Sequence, residues 1–250
     1  MKPLQNKVAV VTGGAGGIGA AICQTLAEAG ATVVVGYHTS ALAATELVQK
    51  LTPAAHSHAA LCAPVTDSAA LAAMAAEVDR RFGRCDVLVN CAGTTRFVPH
   101  HDLDALDDAL IDTILATNVR GAFATIRALR SLMLRTGDAL VINVSSIAAV
   151  TGMGSNVMYC ASKAALDNMT KSLARALAPT IRVVSLSPGL VDTEFIKKMD
   201  PLWRDQQVAL TPLGRLASPE EIARAALVIA VGLTFTTGAV IPVDGGRPLA

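Results

Sequence analysis

The sequence predicts an α/β fold: a single domain, residues 1–250, built on a seven-stranded parallel sheet doubly wound with helices on both faces. Hydrophobic residues make up 52% of the chain and aromatics only 3%. The core must therefore be assembled from Ala, Val, Leu and Ile, the usual material of helices packed on a buried parallel sheet. Short apolar runs alternate with longer helix-forming stretches throughout, a pattern that closes into parallel strands joined by right-handed crossovers. The first run feeds directly into a glycine-rich turn that opens a helix, and no stretch has the composition of a linker.

Val8 to Val11 is the first strand, followed by Thr12-Gly-Gly-Ala-Gly-Gly-Ile-Gly19 and a helix over Ala20 to Ala29 that Gly30 stops. Glycines there let backbone approach a pyrophosphate, and the N–H groups and dipole of the following helix favour its charge. The residues allow two registers: Gly14, Gly16, Gly19 or Gly13, Gly17, Gly19. Thr32 to Val35 is the second strand. About twenty residues past the glycines, where a carboxylate would hold the adenosine ribose of NAD, stand Tyr37 and His38. With no acid to repel a 2′-phosphate, and with His38, Thr39 and Ser40 as donors, the loop favours NADP, with NAD as the alternative.

A helix from about Ala41 to Leu51 leads to a strand ending near Cys62, and a second, Ser68 to Phe82, leads to Val87-Leu-Val89 and then Asn90-Cys-Ala-Gly93. Leu106 to Leu134 reads as one long helix. Its interior Asn118 is a poor helix former and needs a task for its amide. Leu140 to Val144 is the fifth strand and delivers Ser145 and Ser146. A helix to about Ala178 carries Leu166, Met169, Leu173 and Leu177 toward the core. Ile181 to Leu186 is the sixth strand, Glu194 to Ala209 an excursion with the only tryptophan, Trp203, Pro219 opens a further helix, and Ala239 to Val243 is the seventh strand.

A formal net charge of +1 without basic runs gives no footprint for nucleic acid or an anionic membrane. Between Arg224 and Asp244 there is no formal charge, yet Thr234, Thr236, Thr237, Gly238 and Pro242 break that stretch into helix, turn and strand, so no membrane span is expected. Met1 to Lys7 lacks the pattern of a signal peptide. Five cysteines without Cys-x-x-Cys spacing read as reduced thiols in a cytoplasm. His38, His56, His58, His100 and His101 form no metal-ligand pattern, and all but His38 read as surface loop residues; no metal site is expected. Ser146 is not set in a G-x-S-x-G elbow.

Tyr159 and Lys163 are i and i+4 neighbours on a helix. A cation beside a phenol favours the phenolate, which suits the tyrosine to general acid/base work.

These motifs together resemble the short-chain dehydrogenase/reductase family from Lys7 to Gly246. The resemblance is carried by Thr12-Gly13-x-x-x-Gly17-x-Gly19, Asn90-x-Ala92-Gly93, Asn118, Ser146, Tyr159-x-x-x-Lys163 and Pro188-Gly189. It implies a Rossmann fold and an NAD(P)-dependent oxidoreductase acting on a small-molecule carbonyl or alcohol. By the same resemblance Tyr159 is the acid/base, Lys163 lowers its pKa and binds the nicotinamide ribose, Ser146 bonds the substrate oxygen, and Asn118 holds a relay water. The implied cofactor-binding set is Gly13, Gly17, Ile18, Gly19, Tyr37, His38, Thr39, Val65, Asn90, Ala92, Gly93, Tyr159, Lys163, Pro188, Gly189, Val191 and Thr193. Family members imply a homotetramer built on the helices around 106–134 and 157–178, with a dimer as the alternative.

Pro64, Cys91 and Ser187 depart from the family's usual Asp, Asn and Asn. Thr95-Arg96 and Pro212-Leu-Gly-Arg215 look like 3-oxoacyl carrier-protein reductases; residues 97–102 do not. The substrate therefore stays open among 3-oxoacyl thioesters, small ketones and sugar alcohols, and a catalytically silent dinucleotide sensor is the competing class.

Overall fold

Residue alternation along the strands explains the layering of the molecule. In the computed structural model, which describes residues 2–249, the first strand β1 (Val8–Thr12) sends Ala9 and Val11 into one apolar cluster and Val8 and Val10 into another. Both clusters are fully buried, which is why the strand reads as a continuous apolar run rather than an alternating one. Helix α1 (Gly17–Glu28) follows, then β2 (Thr32–Tyr37), α2 (Ala41–Lys50), β3 (Ala59–Cys62), α3 (Ser68–Phe82) and β4 (Val87–Asn90). The second half contains α4 (Asp108–Leu115), a π-helical turn (Ala116–Gly121), α5 (Ala122–Leu134), β5 (Ala139–Val144), α6 (Ala148–Thr151), α7 (Val157–Leu177) and β6 (Ile181–Pro188). It closes with α8 (Glu194–Lys197), α9 (Pro201–Ala209), α10 (Pro219–Val231) and β7 (Val240–Val243).

All seven strands are parallel, in the order β3-β2-β1-β4-β5-β6-β7. Ile22, Leu26, Ala44, Leu47, Ile222 and Ile229 pack on one face, from α1, α2 and α10. Leu71, Met74, Val78, Leu129, Leu132 and Met133 pack on the other, from α3 and α5, with Ala174 of α7. The chain reverses its direction of winding between β1 and β4, and in such sheets the ligand crevice opens beyond the carboxyl ends of the strands at that switch point.

The sequence expectations differ from the structure in several places. The first helix starts at Gly17, inside the glycine turn, because the turn itself supplies the first helical residues. The stretch expected as one helix over 106–134 starts at Asp108, capped by the Asp107 carboxylate, and widens into a π turn around Asn118. Residues 194–209 form two short helices, the second capped by Asp200 with Pro201 in its first turn. His58 is not a plain surface residue: its ring accepts from the Val33 amide at 2.9 Å and lies 2.8 Å from the Thr52 carbonyl, stapling β2 to the loop before β3.

Asp86, 2% exposed just before β4, accepts the Val8 amide at 2.9 Å and two bonds from Arg84 at 2.8 and 2.6 Å, with Lys7 at 3.1 Å. Burial alone would raise its pKa, but Arg84, the Val8 amide and Lys7 outweigh it and hold the carboxyl below its ordinary value. A depressed folded pKa stabilises above the unfolded pKa of about 3.9 and is lost as pH falls through the folded value. Asp86→Ala is expected to cost about 2 kcal/mol at pH 7, less than a fully buried pair because both cations are partly exposed. The difference should narrow below about pH 4. Urea midpoints at pH 7 and pH 3 check both statements, and an unchanged midpoint at pH 7 would refute the first.

Candidate active site

The glycine turn after β1 is built by crowding. Gly13 and Gly17 take positive φ, +64° and +51°. A Cβ on Gly13 would meet the Ala92 amide and Cα at 2.9 Å, and one on Gly19 would fall on the Gly13 carbonyl oxygen. Gly16 is extended, with nothing near its would-be Cβ. Gly14 is crowded too, since its Cβ would meet the Val11 carbonyl oxygen at 2.9 Å, so among the glycines of the two registers Gly16 alone has neither a positive φ nor a steric need for glycine.

Beside this turn lies a cleft of about 1100 Å³. Of the expected cofactor-binding residues, Gly13, Ile18, Gly19, Tyr37, His38, Thr39, Val65, Ala92, Gly93, Tyr159, Lys163, Pro188, Gly189, Val191 and Thr193 line it. Gly17 and Asn90 do not; Gly17 sets the turn, and Asn90 is buried in the sheet. Ser40 lines the cleft beside His38 and Thr39, and Asp112 is the one carboxylate among the lining residues. Thr94, Thr95 and Phe195 also line it, though no sequence motif marked them for the cleft.

Asn90 belongs to a polar row that crosses the sheet. Strand registers place Thr12, Asn90, Asn143 and Ser185 side by side on β1, β4, β5 and β6. Asn90 Nδ2 donates to Asn143 Oδ1 at 2.9 Å, Asn143 Nδ2 donates to Thr170 Oγ1 at 2.8 Å, and Thr170 and Ser185 hydroxyls lie 2.9 Å apart. Thr12 Oγ1 accepts the amides of Cys91 and Ala92 at 3.2 Å. Buried side-chain networks of this kind fix relative positions because each lost partner strands a polar atom. Here the row locks the strand ends that carry Cys91, Ser145 and Ser146 to helix α7, which carries Tyr159 and Lys163.

Asn156 caps α7, accepting the Tyr159 amide at 2.7 Å and donating to the Arg96 carbonyl at 2.8 Å and Thr95 Oγ1 at 3.1 Å. It therefore orients the first turn that presents Tyr159. Asn three residues before a helix-borne Tyr is a readable cap signal, and sequence reasoning missed it. Asn118 finds its task in the π turn: Oδ1 accepts the Thr94 amide at 2.8 Å, and Nδ2 donates to the Thr94 carbonyl at 3.1 Å and Ser162 Oγ at 3.0 Å. The π geometry turns that amide toward the loop after β4, a placement common at functional sites. Asn118 Oδ1 and Lys163 Nζ border the same point at Gly93, whose added Cβ would lie 3.5 and 3.8 Å from them.

Lys163 is 6% exposed, donates to the Val144 carbonyl at 2.8 Å and sits 5.7 Å from the Tyr159 ring centroid. Burial pulls its pKa down to about 8. The Tyr159 phenol is pushed up from its ordinary value by burial, with Ser146 pulling the other way through a hydrogen bond. This differs from the lowering expected from a neighbouring Lys163. The ammonium is directed at the Val144 carbonyl, and burial of the phenol outweighs its hydrogen bond with Ser146.

The chain belongs to the short-chain dehydrogenase/reductase family, whose members are NAD(P)-dependent oxidoreductases working between carbonyl and CH–OH groups. A family model described as enoyl-(acyl carrier protein) reductase matches residues 13–247. The cis-4-hydroxycyclohexanecarboxylate dehydrogenase of Sinomonas cyclohexanicum is 38% identical over 96% of both chains. The 3-oxoacyl-acyl-carrier-protein reductase of Thermotoga maritima is 33% identical over 97% of this chain and 98% of its own. A structure described as a short-chain dehydrogenase/reductase from Burkholderia xenovorans superposes with a TM-score of 0.90 at 35% identity, covering 98% of each chain. Among the described residues no helix is long and apolar enough to cross a membrane, and no His, Cys, Asp and Glu group has metal-binding geometry.

Proposed function

We propose that this protein is an NADPH-preferring reductase of a neutral ketone or 3-oxoacyl thioester, with Tyr159 as its general acid. One observation carries the reading: Ser146, Tyr159 and Lys163 line the same cleft as the glycine turn. The cofactor fits the residues present, because the turn leaves backbone, not side chains, facing the cleft at Gly13 and Gly19. When bound, the nicotinamide supplies and accepts the hydride. Gly13, Gly17, Ile18 and Gly19 hold the pyrophosphate side, Val65, Asn90, Ala92 and Gly93 shape the adenosine side, and Pro188, Gly189, Val191 and Thr193 hold the nicotinamide side. Asn90 acts through the sheet rather than by lining the cleft.

Charge appears on the carbonyl oxygen during reduction, so donors aimed there beforehand lower the barrier. Ser146 and Tyr159 are those donors, and Tyr159 gives up its proton. Lys163 resupplies it, and Asn118, bordering Lys163 across Gly93, holds the water that reloads Lys163. Five cysteines free of disulfides support a reducing, cytoplasmic setting. The family resemblance supports a homotetramer assembled through α5 and α7, with a dimer as the alternative.

Tyr37, His38, Thr39 and Ser40 border the cleft with no carboxylate among them, which supports the 2′-phosphate form. NADPH should bind about tenfold more tightly than NADH, roughly 1.4 kcal/mol. Fluorescence titration at fixed salt, followed by a panel of ketones, 3-oxoacyl thioesters and sugar alcohols with both cofactors, checks the reading. Absence of turnover across the panel would favour a silent binding protein, and an NADH preference would refute the loop assignment.

A further inference from the structure

The segment after β6 reaches across the cleft to the glycine turn. Thr193 and Phe195 line the cleft, and a Cβ on Gly17 would lie only 3.5 Å from the Thr193 methyl carbon. Strands β4 and β5 stand between β6, which leads to Thr193, and β1, which leads to Gly17. The contact is therefore a bridge over the ends of two strands, and its hold on anything in the cleft depends on what keeps it in place.

Packing contributes little to that hold: α8 buries only Ile196, and α9 buries no residue. Polar links do the rest. Asp192 is fixed at the base of the bridge, because its amide donates to the Ala217 carbonyl at 2.8 Å and the Ala217 amide donates to the Leu190 carbonyl at 3.2 Å. Arg204 returns to it from α9, with Nη2 donating to Asp192 Oδ1 at 2.6 Å. Arg204 Nε is buried without an acceptor, so among the described residues Asp192 is the one side chain that engages this guanidinium. Lys197, the cation nearer in sequence, is bound to Glu194 at 2.8 Å. The far end of α9 is tied separately, where Arg247 Nη1 donates to the Gln207 carbonyl at 3.0 Å. The Asp192–Arg204 pair thus closes a loop between residues twelve apart, and that loop carries Thr193 and Phe195. Closing a loop at both ends removes freedom from everything between them.

We propose that Asp192 and Arg204 are positioning residues whose ion pair holds the segment 193–199 against the glycine turn and so sets how fast a bound nicotinamide dinucleotide leaves. The proposal rests on the nucleotide site assigned above. Neither side chain lines the cleft, so the pair acts through Thr193 and Phe195. The two side chains are 32% and 31% exposed, and a pair so exposed adds little to global stability. Its effect falls on the local opening of the loop it closes.

The test follows NADPH release by stopped-flow fluorescence during a chase with excess NADP+, a readout that needs no turnover; NADH takes its place if the cofactor preference is reversed. The variants are Arg204→Met, Asp192→Asn, the two combined, and Arg204→Lys, with Arg204→Gln as the substitute should the Met variant not fold. Each uncharged single variant should release NADPH about three- to fivefold faster, the double variant no faster than the singles, and Arg204→Lys within about twofold of wild type. Association rates should stay within about twofold and melting temperatures within about 2 °C, a split that a merely structural role would not produce. Release rates unmoved in folded single variants, or effects that multiply in the double variant, overturn the proposal. Faster release in a protein that reduces no carbonyl leaves the Asp192–Arg204 assignment standing and removes the reductase reading instead; unmoved release in a protein that does reduce ketones has the opposite consequence.

Discussion

Replacing Tyr159 by Phe is expected to lower kcat by about 10³-fold, close to 4 kcal/mol of transition-state stabilisation, while the affinity for NADPH stays within about twofold. The ring is half-buried at the start of α7, with Lys163 Nζ 5.7 Å from its centroid and the backbone amide held by Asn156. Phe keeps those contacts and removes only the oxygen. What disappears is the proton donor; Ser146 remains as a single donor to the developing oxyanion, which accounts for residual activity. Because burial holds the phenol protonated, the wild-type tyrosine begins a reductive cycle in the form that donates. Steady-state turnover measured beside a cofactor titration separates the outcomes. Near-normal kcat in the Phe variant would take Tyr159 out of the chemistry, and loss of NADPH binding would mean that the hydroxyl serves the cofactor instead.

The parallel sheet was legible in the chain because strands buried on both faces read as nearly continuous apolar runs, as Val8–Val11 does throughout and Leu140–Val144 does save for Asn143, whereas the order of the strands came only from the fold. Tyr159, Lys163 and the glycine turn were legible because their spacing is local. The parts that escaped are those decided across the sheet. Asn143 looks like an isolated polar residue in an apolar strand until register sets it between Asn90 and Ser185 and Thr170 reaches down from α7. The π turn at Asn118 was invisible to periodicity because one widened turn shifts the helical phase by a single residue. Local spacing also leaves out what burial does to Tyr159: i,i+4 spacing says that a cation is near, but only the fold says that its ammonium points at the Val144 carbonyl and that burial pushes the phenol up.

Gly19→Ala is the second substitution with a large expected effect, and its partner Gly16→Ala is expected to do far less. A methyl on Gly19 would occupy the place of the Gly13 carbonyl oxygen, with the Gly13 carbonyl carbon at 2.9 Å and the Gly14 Cα at 3.0 Å. All three contacts are backbone, so no side-chain rotation relieves them. Gly13 has no room to retreat, since its own Cα faces the Ala92 amide, which Thr12 Oγ1 holds in place. The turn must therefore open, at a cost of about 1–3 kcal/mol in stability typical of overpacking. Its N–H groups would leave the geometry that receives a pyrophosphate, and NADPH affinity should fall by about 100-fold or more, near 2.7 kcal/mol. Gly16 has an extended backbone and no protein atom near a would-be methyl, so Gly16→Ala should keep the wild-type melting temperature; because Gly16 lines the cleft, its NADPH affinity should fall at most several-fold, far less than for Gly19→Ala. Thermal melts and fluorescence titrations of both variants test the pair together. Equal effects would mean that flexibility along the whole turn governs binding; a large Gly19 effect beside a small Gly16 effect would place the requirement where the first turn of α1 packs on the backbone of Gly13 and Gly14.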